Sequence, residues 1–164
     1  MIVPAQYGQT ASNFVVTNPV TQLGLSLTSE INLSSFDLIS VSALRQAHAE
    51  GHFDIDSTSL PFIDLNYGPK SRSASEDLRL QSNDPSARLV WLVGMNLFFD
   101  TDTYEPFLLF TFGIPHAQTG FVHTEAYALY GQSTYKATDR FSVTAGLRLS
   151  QEHKEASYSQ DAQP

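Results

Sequence analysis

Phe141-Ser142-Val143-Thr144-Ala145-Gly146-Leu147-Arg148-Leu149-Ser150 changes character at every step. Phe141, Val143, Ala145, Leu147 and Leu149 are apolar, and the residues between them are polar or small. Successive side chains of an extended strand leave opposite sides of the backbone, so the stretch reads as a strand with one apolar and one polar face. At this composition a perfect ten-residue alternation arises by chance in roughly one window in a thousand. One strand therefore decides little until its neighbours are read.

The neighbours repeat the pattern. Leu89, Trp91, Val93, Met95, Leu97 and Phe99 share one face, opposite a mixed face of Val90, Leu92, Gly94, Asn96 and Phe98. Leu23, Leu25 and Leu27 alternate with Gly24, Ser26 and Thr28, and the pattern resumes at Ile31 and Leu33. Ile39, Val41 and Ala43 alternate with Ser40 and Ser42. Leu78 and Leu80 oppose Asp77, Arg79 and Gln81, and Tyr127, Leu129 and Tyr135 oppose Gln132 and Thr134. Strands are expected over 22–33, 36–45, 73–81, 88–99, 125–136 and 141–150. Their length of about 9–11 residues is what a tilted strand needs to cross a bilayer; strands of water-soluble domains average about 5–6.

Short and long links alternate between these strands. Ser34-Ser35, Ser82 to Ala87 and Ala137 to Arg140 are short and polar, whereas Gln46 to Arg72 and Asp100 to Glu125 are long. Outer-membrane barrels have short turns on one side and longer loops on the other, and a β-sandwich gives no reason for such alternation. The expected fold class is all-β: an antiparallel up-and-down transmembrane β-barrel segment of about six strands, open rather than closed. On this reading Val143, Leu147, Trp91 and Val93 face lipid, Thr144 and Arg148 face the lumen, and Tyr67, Tyr104, Tyr127, Tyr135 and Tyr158 sit near strand ends as an aromatic girdle.

Composition narrows the function classes. A net charge of -8 speaks against nucleic acid as a partner. With no cysteine there are no disulfides, cysteine–zinc sites or thiol chemistry. No run of 18 apolar residues occurs, which excludes a transmembrane helix. The first twenty residues contain no Lys or Arg and no long apolar core, unlike a secretory signal.

Several segments resemble the barrel region of TonB-dependent outer-membrane receptors. Ser75-Glu76-Asp77-Leu78-Arg79-Leu80 is similar to a recurring Ser-x-Glu-Leu-Arg-Leu strand, with Asp77 where Glu is usual. Arg88-Leu89-Val90-Trp91-Leu92-Val93-Gly94 with Phe98-Phe99 resembles the strand that follows it in that family, and Tyr127 to Gln132 with Thr138 to Arg148 resembles the next hairpin. The likeness covers most of Gln22 to Tyr158. It implies a bacterial outer-membrane location, contact with outer-membrane lipid, and import of a scarce small-molecule ligand of the ferric siderophore, cobalamin or glycan class. It also implies energy coupling to the TonB system through a plug region. No plug, TonB-contacting box or terminal aromatic strand is recognised, so residues 1–164 are expected to form a partial barrel domain with two open edges and no competence as a receptor alone. A soluble β-sandwich that binds a ligand and a small porin-like channel are the alternatives.

Candidate chemistry is sparse. His48, His52, Asp54 and Asp56 form the cluster nearest to a metal-ligand set, but the segment reads as a loop and a solvated polar loop is the favoured account. The most apolar run, Phe107 to Phe112, lies in the second long link; Phe107 and Phe110 could contact an apolar ligand, although packing in a hairpin extended beyond the bilayer is the simpler expectation. His116, His123 and His153 are read as loop residues. Neither a phosphate-binding glycine loop nor a Gly-x-Ser-x-Gly elbow is present, so no cofactor and no enzymatic activity is expected.

Overall fold

The computed structural model describes residues 11–112 and 114–161. The long strands are β1 (Val20–Asn32), β2 (Phe36–Ala49), β4 (Ile63–Ser82), β5 (Leu89–Thr111), β6 (Ile114–Thr138) and β7 (Phe141–Asp161), with a short β3 (Gly51–Asp54) between β2 and β4. All pairings are antiparallel, in the order β1-β2-β4-β5-β6-β7, and β3 pairs with β4. The strand order is a path with two ends, not a closed ring. One sheet has no second layer to pack on, and among the described residues Ala128 is the sole buried hydrophobic side chain. That removes the sandwich alternative, which requires two packed sheets.

All six expected strands are present, and most run well past their expected ends. The long link from Asp100 to Glu125 is the extended hairpin expected at Phe107 to Phe112, paired as far as Thr111 with Ile114. Its pairing slips once, between Tyr104 and Phe107, where one extra residue on β5 is absorbed as a bulge. The expected loop from Gln46 to Arg72 is shortened likewise by the end of β2, by β3 and by the start of β4. His116, His123 and His153 therefore lie in strands rather than loops.

Register sorts the side chains into two faces. One carries Leu23, Leu25, Leu27, Trp91, Val93, Leu129, Val143 and Leu147; the other carries Ser26, Thr28, Asp77, Arg79, Gln132, Thr144 and Arg148. The apolar face has little cover: Leu25, Leu147 and Leu129 are 70%, 70% and 64% exposed. Tyr135 and Phe141 lie near its short-turn edge. Phe99 and Tyr127 meet edge to face at its other edge, with ring centroids 5.9 Å apart. Of the five tyrosines expected in a girdle, Tyr127 and Tyr135 fit; Tyr67, Tyr104 and Tyr158 lie farther up the extended strands.

The apolar band slides along the sheet. It is centred on Leu27 in β1 and on Ala145 in β7, yet the residue level with Leu27 on β7 is Gln151, reached through Ser42, Glu76, Leu97 and Tyr127. The slip is six residues over five strand-to-strand steps. With about 3.4 Å per residue and about 4.8 Å between strands, a level band requires strands tilted by about 40°. Transmembrane barrels tilt their strands by about 35–45°. A lipid layer is the environment that imposes such a band.

β2 departs from the pattern. Its residues Ile39, Val41 and Ala43 share the polar face with Glu30, Thr28 and Ser26, while Ser40 and Ser42 share the apolar face with Ser29 and Leu27. Glu76 lies on that apolar face too, and accepts hydrogen bonds from the Ser40 hydroxyl at 2.6 Å and from the Ser42 hydroxyl.

Candidate functional site

The polar face holds a cross-strand network built around Asp77 on β4. Arg79 donates to Asp77 Oδ1 at 3.0 Å, and the Tyr130 hydroxyl lies 3.0 and 2.9 Å from the two carboxylate oxygens. Tyr130 belongs to β6, so its ring must cross β5. Gly94 permits this: a Cβ at that position would lie 2.5 Å from Tyr130 Cζ and 2.6 Å from its hydroxyl. Arg148 on β7 stands 5.7 Å from the centre of the same ring, within cation–π range. Side chains of β4, β6 and β7 are thus tied together across the glycine gap. The arrangement sets Arg79 on the Asp77 carboxylate and Arg148 over the Tyr130 ring, and supplies neither a nucleophile–base pair nor a set of metal ligands.

Farther along the same strands, away from the short turns, an aromatic cleft of about 370 Å³ opens between β5, β6 and β7. Tyr104, Phe107, Gln118, Val122, Ala156 and Tyr158 line it, and Gly120 leaves room at its floor. The bulge in β5 places Phe107 opposite Gln118 and Tyr104 opposite Gly120. Phe110 is three residues beyond Phe107 and therefore faces the other way, opposite Pro115. Of the two candidate ligand-contacting phenylalanines, Phe107 lines the cleft and Phe110 does not. Tyr104 and Tyr158 are expected in the girdle from their place near presumed strand ends; the extra β5 residue that redirects this wall leaves no alternation signal.

The candidate set His48, His52, Asp54 and Asp56 does not come together around one point. His48 is the last residue but one of β2, and its Nε2 meets Glu50 at 3.1 Å. His52 lies in β3, its backbone bridged to Thr17 and paired with Asn66. Asp54 and Asp56 gather instead with Asp64, which stands opposite Asp54 in the β3–β4 pair. Ten residues of sequence separate Asp64 from Asp54, so spacing alone gave no hint of it.

Three carboxylates of this kind suit a hard cation such as calcium, but local hydrogen bonds already account for them. Asp54 accepts from the Ser57 N–H at 2.7 Å and the Asn13 N–H at 3.2 Å. Asp56 accepts from the N–H groups of Ile63 at 2.7 Å and Thr58 at 2.9 Å. The Thr58 side chain, then these backbone donors, hold the Asp56 carboxyl below its ordinary range. Asp64 accepts from the Asn13 amide at 3.4 Å. The cluster shapes a turn.

A tilted antiparallel sheet with a level apolar band, polar opposite face and tight turns at one end defines the class of outer-membrane β-barrel walls. The family model described as TonB dependent receptor-like, beta-barrel, matches residues 3–163, and the chain belongs to that family. Among solved structures, the ferric yersiniabactin uptake receptor FyuA of Yersinia pestis superposes with a TM-score of 0.79 at 18% identity, over 88% of this chain and 22% of that one. The chain thus spans about a fifth of that receptor's length. No curated protein sequence matches it. Barrels of this family are outer-membrane receptors and transporters rather than enzymes, and the apolar and polar faces of this sheet match the lipid and lumen sides of such a barrel.

Proposed function

We propose that these residues form part of the ligand-facing wall of an outer-membrane receptor that imports a scarce nutrient, with ferric siderophores as the first class to test and cobalamin and glycans after them. The observation that carries this reading is the aromatic cleft of Tyr104, Phe107 and Tyr158, on the lumen face at the end away from the short turns, where outer-membrane barrels meet the outside. Aromatic side chains offer large, stiff contact areas to a bulky ligand at low entropic cost. The uptake receptor that shares this fold takes up a ferric chelate, which supports the iron class. Coupling to TonB runs through a plug region, not through the wall residues described here; the wall provides shape, and the Asp77 network keeps it rigid. His48, His52, Asp54 and Asp56 add polar contacts to a ligand at the outer end of the wall.

The test is ligand binding and uptake by the intact receptor carrying this stretch. Replacing Tyr104 and Tyr158 together with alanine is expected to weaken binding of the imported ligand by about tenfold or more. Iron-chelate uptake should fall in step, while barrel heat-modifiability on gels is retained. Unchanged affinity would place the ligand elsewhere, and uptake confined to cobalamin or a glycan would replace the iron class.

A further inference from the structure

A second groove, of about 470 Å³, lies on the lipid side between β1 and β5. Leu23, Leu25 and Leu44 form one wall, Phe99 the other, and Ala74 leaves the middle low. Each of these residues lies in or at the upper edge of the apolar band. Arg72 is the first polar residue above the band on β4, and it lines the groove's upper end. Lys70 is two residues farther along, on the same face.

Both cations are exposed, and among the described residues neither has a carboxylate within 4 Å. The nearby acids on this face are engaged elsewhere: Glu76 with Ser40 and Ser42, Glu50 with His48, and Glu125 with Tyr127 and His123. Asp100 and Asp102 belong to the opposite face. Two unpaired cations side by side are unexpected on a chain of net charge -8. They stand at the depth where lipid headgroups lie, above a slot shaped for hydrocarbon.

We infer that this groove binds a phosphorylated lipid of the outward leaflet, seating one acyl chain against Ala74 and its headgroup phosphate on Arg72 and Lys70. Guanidinium and ammonium groups at an interface select an anionic headgroup, while the leucine and phenylalanine walls select the chain. The inference needs only the lipid-facing side of the fold and is independent of which nutrient is imported.

Native mass spectrometry of the detergent-solubilised receptor carrying this stretch decides the matter, with three probes: phosphatidylglycerol, diacylglycerol with the same chains, and inorganic phosphate. Phosphatidylglycerol should be retained about tenfold better than diacylglycerol. Lys70→Gln with Arg72→Gln should erase that preference without touching diacylglycerol, and Ala74→Phe should lower retention of both lipids. Arg140→Gln, in the far turn, should change nothing. Heat-modifiable migration shows which variants are folded, and the exposed Lys70 and Arg72 changes test the headgroup even if Ala74→Phe fails to fold. Equal retention of the two lipids, a preference that survives the double substitution, or an equal loss with Arg140→Gln would each overturn the proposal. So would inorganic phosphate binding as tightly as the phospholipid, which would mean a bare anion site.

Discussion

β7 and β2 cross the same apolar band with opposite chemistry. β7 turns Val143 and Leu147 to the apolar face and Thr144 and Arg148 to the polar one. β2 turns Ser40 and Ser42 to the apolar face and Ile39 and Val41 to the polar one. The inversion is tolerable because the two hydroxyls are not left bare in hydrocarbon: both donate to Glu76 on the adjacent strand. The pairing of a strand with its neighbours thus decides which way it faces, even against its own pattern.

The largest effect that would break this comparison comes from arginine scanning. In the receptor carrying this stretch, Leu147→Arg on β7 should cost ~2–4 kcal/mol, as should Ser42→Arg on β2, since both sites face lipid within the band. Thr144→Arg and Val41→Arg should cost much less. Denaturant midpoints in bilayers would reveal the error if Val41→Arg proved worse than Ser42→Arg, because β2 would then face the other way. Next in size is Gly94→Val, whose side chain would collide with the Tyr130 ring. A loss of about 1–3 kcal/mol is expected, and Tyr130→Ala made beforehand should relieve most of it.

A smaller effect sharpens the account of β2. Glu76→Leu removes a carboxylate from the lipid side, and replacing a desolvated ionic group by an apolar one is often neutral or stabilising. The denaturant midpoint is expected to stay level or rise. A large loss would show that this patch meets a protein rather than lipid.

The smallest effect lies in a turn. Hydrogen bonds from the side chain and then the backbone of Ser86 hold the Asp84 carboxyl below its ordinary range. A depressed carboxyl contributes stability above its unfolded pKa of about 4, and that contribution fades as pH falls through the lower folded value. Ser86→Ala should therefore flatten the acid limb of a stability–pH curve while leaving neutral pH nearly unchanged in slope.

Strand identity was legible wherever one face is uniformly wetted by lipid. Phe141 to Ser150 and Leu89 to Phe99 alternate because hydrocarbon demands an apolar side chain at every second position. The extension of β5 and β6 between Asp100 and Glu125 was legible as a hairpin continued past the bilayer at Phe107 to Phe112, but its register and bounds were not, since there both faces meet water or other protein and alternation loses its cause. Tyr104 and Tyr158 were visible as tyrosines, but their meeting in one cleft depends on a bulge that shifts a strand's facing without altering its composition. Asp64 illustrates the same limit: a partner supplied by a hairpin cannot be found by counting residues from Asp54.

The slip of the apolar band has one more consequence. At a tilt of about 40°, each strand occupies about 6 Å of perimeter rather than its bare spacing of about 4.8 Å. A ring of about 22 such strands, as in the larger outer-membrane transporters, would have a perimeter near 140 Å and a backbone diameter of about 45 Å. Arg148 and Tyr130 on the inner surface reach only a small part of the way to the axis of such a ring. Their influence on anything crossing the membrane is therefore local, felt at the wall, and occlusion of the aperture has to come from mass held inside it rather than from the lining.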